Sequence, residues 1–311
     1  MEQPLISIVI ATYNRASSLR TYSLPAIAKL NYPNYEVVIV DDASTDDTQS
    51  FLNTSNNNIK NLLVLRNNRN QGACFSRNLG VAHTKGKIVV LMDDDVSPFP
   101  DCLDEIIKVY TEDPDVMVIW GCIYEQGGSL AKGTATFGTG SLWSLRREVF
   151  EHFRFDTNLR YFRSTACDEH DLARRIQKHN FKIIKAKTVK ADHYHAPAEN
   201  RIWRGIGGDL NYLYEKLKYG SIFQYYGLFI LGILLLPKRL LRKGEVNKNL
   251  QNHPYYQVFE TPNRLLVFIK QRQLFMAAKW LFYILIDIPF RAKTKGIFES
   301  LTKAYSTKWP A

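Results

Sequence analysis

Three adjacent carboxylates, Asp93, Asp94 and Asp95, end the apolar run of "IVVLMDDDVSP". Like charges on neighbouring residues repel, so a half-buried strand end is a costly place for them unless water or a cation intervenes. Aspartates are hard oxygen ligands that suit Mg²⁺ or Mn²⁺, and these ions often take only one or two carboxylates beside phosphate oxygens. A cation held there would act as a Lewis acid on a departing diphosphate. On the trio alone, a solvated acidic turn fits equally well. Other polar groups follow the same pattern. Asp41 and Asp42 end "YEVVIVDD", where a carboxylate can accept hydrogen bonds from a base or ribose, or cap the next helix. Thr12, Tyr13, Asn14 and Arg15 follow "LISIVIA" and offer hydroxyl, ring and amide contacts to a nucleoside. Arg77 and Asn78 could reach a phosphate, or could be ordinary surface polarity.

The elements around these groups explain how they could meet. "LISIVIA", "YEVVIVDD", "NLLVLRN" and "KIVVLMDDD" are short β-branched or leucine-rich runs that read as buried strands. "STDDTQSFLN" has a helix-start pattern, and "NQGACFSRNLGVAHTKG" reads as a loop leading into a helix. Strands alternating with helices imply βαβ units and a mainly parallel sheet. Such sheets bind ligands at the carboxyl ends of their strands, which places the three polar clusters on one rim. Further on come an amphipathic helix ("PDCLDEIIKVYTEDPDV"), a strand ("VMVIWGCIY") and a glycine-rich loop ("GGSLAKGTATFGTGS"). A strand and helix follow ("GSLWSLRREVFEHF"), then a helix with an acidic start and a basic end ("CDEHDLARRIQKHNF") and a last strand ("KIIKAKTVKADHYHAP").

Charge divides the chain. Residues 206–311 hold 16 Lys/Arg against 6 Asp/Glu, which is +10 of the net +11, and the first 205 residues are almost neutral. The basic part also holds two apolar stretches, 222–237 and 274–290, with aromatic residues and cations near their ends, as interfacial segments have. Each is shorter than the roughly 20 residues that span hydrocarbon. The expectation is two parts. Residues 1–205 form the α/β domain. Residues 206–311 form a helical, apolar and basic region at an anionic membrane surface, lying on it or entering it by one or two short segments. Nucleic acid is not expected, because the cations flank long apolar runs. Cys74, Cys102, Cys122 and Cys167 form no CxxC pair, which suits a reduced, cytoplasmic chain, and the opening residues lack the pattern of a secretory leader.

The stretches "SIVIATYNR", "VVIVDDASTDDT", "NQGACFSRNLGVAHTKGKIVVLMDDD" and "CDEHDLARRI", in that order over about 200 residues, resemble glycosyltransferase family 2. That resemblance implies the GT-A fold, a Rossmann-like mixed sheet flanked by helices. It also implies a nucleotide-sugar donor, a divalent metal, Mg²⁺ or Mn²⁺, and inversion at the anomeric carbon. In its terms Ala11, Tyr13 and Asp42 match donor nucleoside positions, with Thr12, Arg15, Arg77 and Asp94 beside them. Asp93 and Asp95 match the two aspartates of the DXD motif, with Asp95 the best direct metal ligand. An inverting transfer needs a base for the acceptor hydroxyl. Glu169 falls at the family's base position, but the order here is Asp-Glu, so Asp168 stays a rival, and Asp171 completes the acidic helix start. His193 and His195 are alternatives for a further metal or diphosphate contact. Gly140 and Trp143 fall in the acceptor-side segment, where Trp143 could stack on a sugar or lie in the core.

Competing classes fit less well. A nicotinamide-type Rossmann site wants GxGxxG after the first strand, and "ATYNRAS" has no glycine. No GxxxxGK[ST] exists for a P-loop. An aspartate-dependent phosphatase would leave Asp41, Asp42 and the "DEHDL" acids without a role, and a non-catalytic sugar-nucleotide binder would not need acids at both the metal and base positions. Two short apolar stretches are too few for a polysaccharide-translocating synthase. The expectation is an inverting transferase that moves a sugar, most simply from UDP, to a glycan or lipid-linked hydroxyl in cell-surface polysaccharide assembly.

Overall fold

The computed structural model describes residues 3–54, 59, 61–125, 140–159, 168–195, 206–230, 258 and 274–294. Eight strands form one sheet: β1 Ile6–Thr12, β2 Tyr35–Asp41, β3 Leu62–Arg66, β4 Ile88–Met92, β5 Val96–Pro98, β6 Val116–Glu125, β7 Leu142–Arg146 and β8 Lys182–His193. Their order across the sheet is β3-β2-β1-β4-β7-β6-β8-β5. β1 to β4 pair in parallel, β7 runs antiparallel to both β4 and β6, β8 is parallel to β6, and β5 is antiparallel to β8. Following these directions, the carboxyl ends of β1, β2, β3, β4, β6 and β8 share one rim with the amino end of β7. The strand-end acids therefore converge although they lie far apart in sequence.

The strand sequences account for this sheet. Successive side chains alternate faces, and the central strands are apolar on both. Ile6, Ile8 and Ile10 of β1, Val37 and Ile39 of β2, and Val90 and Met92 of β4 join one core with Leu24, Ile27, Leu52, Leu103 and Ile106 of the covering helical segments. On the other face, Val9 and Val40 meet the helix Ala73–Ala82 at Gly80. The outer strands are more polar. Beyond the three residues that pair with β5, β8 has no second neighbour among the described residues, and that stretch carries Lys182, Lys185 and Lys187.

The chain divides into two compact units, Met1–Thr157 with Asp168–Arg201, and Asn158–Cys167 with Ile202–Ala311. The expected division was at 205/206; the stretch 158–167 belongs with the second unit. In that unit, residues 222–230 are helical, and the remainder of the expected apolar run 222–237 lies outside the described residues. The helix Leu274–Phe282 widens into a π turn, Tyr283–Asp287. Such a turn displaces carbonyls from α-helical pairing, and two are taken up: Tyr225 Oη donates to Ile284 O at 2.8 Å and Tyr226 Oη to Leu285 O at 2.7 Å. Trp280, Ile284, Ile288 and Ala292, four apart, are buried, whereas Phe282, Ile286 and Phe290 on another face are 49%, 58% and 62% exposed. Among the described residues, no helix is long and apolar enough to cross a membrane.

Gly80 sets the spacing between the Ala73–Ala82 helix and the sheet, because a Cβ there would come within 2.5 Å of Val9 Cγ1 and 3.2 Å of Val40 Cγ2. Both valines are stiff at χ1 and fully buried, so neither can move aside easily. Gly80→Ala is expected to lower stability by about 1–3 kcal/mol through overpacking, despite alanine's better helix propensity. Urea unfolding should show this as a lower midpoint at unchanged slope.

Candidate active site

Two loops at the rim are stitched together. Asn14, with φ of 54°, follows β1; its backbone N–H donates to Ser44 Oγ at 2.9 Å, and its Oδ1 accepts from the Thr45 N–H at 2.7 Å. Ala43, after β2, also has a positive φ, 62°, which costs an alanine energy. The turn is held by Ser44 N–H donating to Asp41 Oδ1 at 2.9 Å, by Arg66 paired with Asp41, and by Arg66 donating to Ser44 O at 2.9 Å. Ala11 and Tyr13 lie half-buried on either side of the buried Thr12.

Asp42 is already engaged by groups of the chain itself. Its Oδ1 accepts from Asn67 Nδ2 and Gln71 N, and its Oδ2 from Gly72 N, all at 2.7 Å. These bonds hold the turn into the Ala73–Ala82 helix, where Gly72 at φ 89° is the N-cap. An ionised carboxylate offers about four acceptor sites, so one remains for a ligand.

The acidic corner after β4 is tied on every side. Thr12 Oγ1 donates to Asp94 Oδ2 at 2.7 Å, and Arg15 Nε lies 3.8 Å from Asp94 Oδ1. Asp93 N–H donates to Ser141 O at 3.1 Å, Tyr194 N–H to Asp95 O at 2.9 Å, and Ser23 Oγ to Asp94 O. Burial and then the charge of Asp95 push the Asp94 carboxyl up to about 8, although Arg15 and Thr12 pull it down. Burial likewise raises Asp93, with Arg77 opposing and Asp95 reinforcing. The repulsion expected from the sequence thus adds to the larger effect of burial. Carboxylates so crowded, with the imidazole of His193 against Asp95 at 3.1 Å, are a donor set that fits a divalent ion.

Arg77 is not a free phosphate hook. One side-chain nitrogen pairs with Asp168, another donates to Asp93 Oδ1 at 2.9 Å, and the guanidinium lies over the Phe155 ring, 5.5 Å from its centre. Burial alone would lower its pKa, but Asp168 and Asp93 prevail and raise it. Asn78 is likewise occupied: it exchanges hydrogen bonds with the Phe155 backbone at 3.0 and 2.9 Å.

At the start of the helix Asp168–Lys178 the three acids separate. Asp168 is fully buried, paired with Arg77, and accepts the Glu169 N–H at 3.0 Å. Asp171 is fully buried too, against Arg175 at 2.8 Å, and Arg175 also donates to Arg154 O. That pair ties Asp171 within the protein. Glu169 alone keeps partial exposure. Burial and then Asp168 raise its pKa well above the usual carboxylate range. Gly140 lies directly against it, and a Cβ at 140 would overlap the Glu169 carboxylate.

Trp143 is a correction to the acceptor-side expectation. It is 1% exposed, stacks on Trp120 with ring centres 4.6 Å apart, and meets the edge of Phe155 at 5.8 Å. β7 runs between β4 and β6, so alternation turns this ring into the core beneath Arg77. The rest of the glycine-rich loop, 126–139, lies outside the described residues. One residue was missed by sequence reasoning: Glu125, the last residue of β6, whose Oε2 lies 3.4 Å from His193 Nδ1 and 2.5 Å from His195 Nε2. The rim rule that found Asp42 and Asp93 would have found it as well.

Residues 7–168 match the family described as Glycosyl transferase family 2. The chain belongs to that family. Among curated relatives, Glycosyltransferase AglE of Haloferax volcanii is 29% identical over 139 residues, 43% of this chain and 45% of the relative. The Escherichia coli UDP-Glc:alpha-D-GlcNAc-diphosphoundecaprenol beta-1,3-glucosyltransferase WfaP is 33% identical over 91 residues, 29% and 35% of the two chains. The chain spans 38–54% of the length of the first four curated relatives it matches. Solved structures share the fold more completely. The mannosyltransferase PcManGT from Pyrobaculum calidifontis, in complex with GDP-Man and Mn²⁺, has a TM-score of 0.52 at 16% identity, over 99% of this chain and 89% of that one. S. aureus TarS 1-349 in complex with UDP-GlcNAc has a TM-score of 0.55 at 15% identity, over 98% and 93%. These likenesses match the mixed, helix-flanked GT-A architecture implied by the sequence resemblance.

The Arg77 fork yields a prediction that separates it from phosphate binding. Arg77→Leu leaves Asp168 buried without its charge partner and should cost about 3–5 kcal/mol of stability. Thermal unfolding should show a large drop in midpoint, and Asp168→Asn in the same background should recover part of it. A residue that served only as a phosphate ligand would leave the midpoint unchanged.

Proposed function

We propose that this chain is an inverting glycosyltransferase that takes a sugar from a nucleoside diphosphate, most simply UDP, and gives it to a glycan or lipid-linked hydroxyl. The observation that carries the reading is the division of labour among acids on one rim. Asp93 and Asp95 stand at the cation-suited corner, Asp168 is committed to Arg77, and Glu169 is left accessible with a raised proton affinity. Asp93, Asp95 and His193 would hold Mg²⁺ or Mn²⁺, which when bound neutralises charge on the leaving diphosphate.

The chain's own residues do the rest. Thr12, Tyr13, Ala11 and the remaining acceptor site of Asp42 line the strand ends where the nucleoside would lie. Arg15 stands beside Asp94, within reach of the anionic donor. Glu169 accepts the proton of the acceptor hydroxyl. That oxygen then forms its bond to the anomeric carbon from the side opposite the diphosphate, the carbon–phosphate oxygen bond breaks, and the electron pair leaves with the nucleoside diphosphate. Displacement from the opposite side inverts the anomeric centre. Gly140 keeps the approach to Glu169 open. The nucleotide sugars bound in PcManGT and TarS support the donor class, and the Mn²⁺ in the PcManGT complex supports the metal.

For the acceptor, the name of WfaP, with its diphosphoundecaprenol substrate, supports a lipid-linked glycan. The exposed face Phe282, Ile286 and Phe290, with Arg291 and Lys293 exposed beside it and +10 charge over 206–311, supports contact with an anionic membrane surface, on its cytoplasmic side.

Glu169→Gln is expected to lower transfer by about 10²–10⁴-fold, the usual contribution of a positioned base, with donor affinity unchanged by calorimetry. Wild-type turnover in that variant would remove Glu169 from the mechanism. Separately, replacing Phe282, Ile286 and Phe290 by Ser should release the protein from sedimenting vesicles that contain phosphatidylglycerol, while soluble-acceptor turnover stays the same. Undiminished sedimentation would exclude this face as the membrane contact.

A further inference from the structure

We infer that Glu125 is a positioning residue for the metal site: it holds His193 in the orientation and tautomer that present Nε2 to a cation beside Asp95. The inference rests on the metal reading above and adds a residue that the reading did not include. Its basis is strand register. His193 ends β8, which lies between β5 and β6; it pairs with Val96, the residue after Asp95, on one side and with Glu125 on the other. A residue so flanked turns its two ring nitrogens toward two different carboxylates. Nε2 lies 3.1 Å from Asp95 Oδ1, and Nδ1 lies 3.4 Å from Glu125 Oε2.

A histidine that ligates a metal through one nitrogen commonly donates its other N–H to a carboxylate, which fixes the tautomer and raises the basicity of the ligating atom. Here Asp95 is the carboxylate at the cation corner and Glu125 is the one behind the ring. His195 stands on the other side of Glu125: its Nε2 lies 2.5 Å from Oε2, and its ring centre lies 4.1 Å from that of His193. The chain thus provides a relay from β6 through β8 to the turn after β4, in which only the last two members touch the ion. A different arrangement would place a cation directly among Glu125, His193 and His195, whose donor atoms lie within 4.8 Å of one another. The double variant below separates that arrangement from the relay.

The experiment is a Mn²⁺ titration of the full chain, with no nucleotide, in which electron paramagnetic resonance follows the loss of the free-ion signal. Glu125→Ala is expected to weaken Mn²⁺ binding by about 10–100-fold. Glu125→Gln, whose amide oxygen can still accept the Nδ1 proton, should lose less than Glu125→Ala. His193→Ala should lose at least as much as Glu125→Ala, and the double variant no more than His193→Ala alone, because Glu125 acts through the imidazole. Melting curves without metal should match the wild type for all of them. Unchanged affinity in Glu125→Ala overturns the inference while leaving the metal reading intact. Losses that multiply in the double variant also overturn it, in favour of Glu125 as a direct ligand. Absence of Mn²⁺ binding by the wild type, with no gain when UDP is added, removes the metal reading and this inference with it.

Discussion

One guanidinium joins the parts of the candidate site. Arg77 comes from the helix after β3, Asp93 from the end of β4 and Asp168 from the start of a helix some seventy residues later, and the fork fixes all three at hydrogen-bonding distance. An arginine suits this position because its planar fork offers several donors in fixed directions and stays charged when buried. Removing such charges from water is expensive, and only close, well-directed pairing offsets it. The aromatic layer below serves the same end: Phe155 lies under Arg77, Trp143 meets Phe155, and Trp120 stacks on Trp143. That dry floor lowers the local dielectric and strengthens each pairing above it.

Around the fork the acids outnumber the cations. Asp93, Asp94, Asp95, Glu125, Asp168 and Glu169 gather around Arg15, Arg77 and His193. Burial first, and the surplus negative charge after it, raise the carboxyl groups in the corner. The rim is also pre-formed. Asn14 and the Ser44–Thr45 turn hold each other, Asp42 fixes Gln71 and Gly72, and the Asp93–Asp95 turn is tied by Thr12, Ser23, Ser141 and Tyr194. Binding groups set by such a framework lose little freedom when a ligand arrives.

Much of this was legible in the sequence. β-branched runs that ended in acids gave the strands and, through the rule that ligands bind at carboxyl ends, the rim. The two residues of the acidic helix start that matter most, Asp168 and Glu169, were found but could not be ranked, since their ranking depends on which one Arg77 reaches. Arg77 itself read as a phosphate contact because sequence shows a cation near a helix start, not the two carboxylates folded against it. Trp143 was ambiguous for a related reason: its face depends on β7 entering the sheet between β4 and β6, and local pattern carries no such non-local information. β5 has only three residues, too few for a periodic signal, and Glu125 was passed over because one acid at a strand end stands out less than two or three.

The lysines of β8 bear on assembly. A sheet whose last long strand is partly unpaired could continue into a second molecule, the two strands zipping edge to edge. The exposed lysines of one copy would then crowd those of the other across a two-fold axis, charge against charge, and long solvated stems would have to be stripped of water. Continuous-sheet dimers are thus disfavoured at this border.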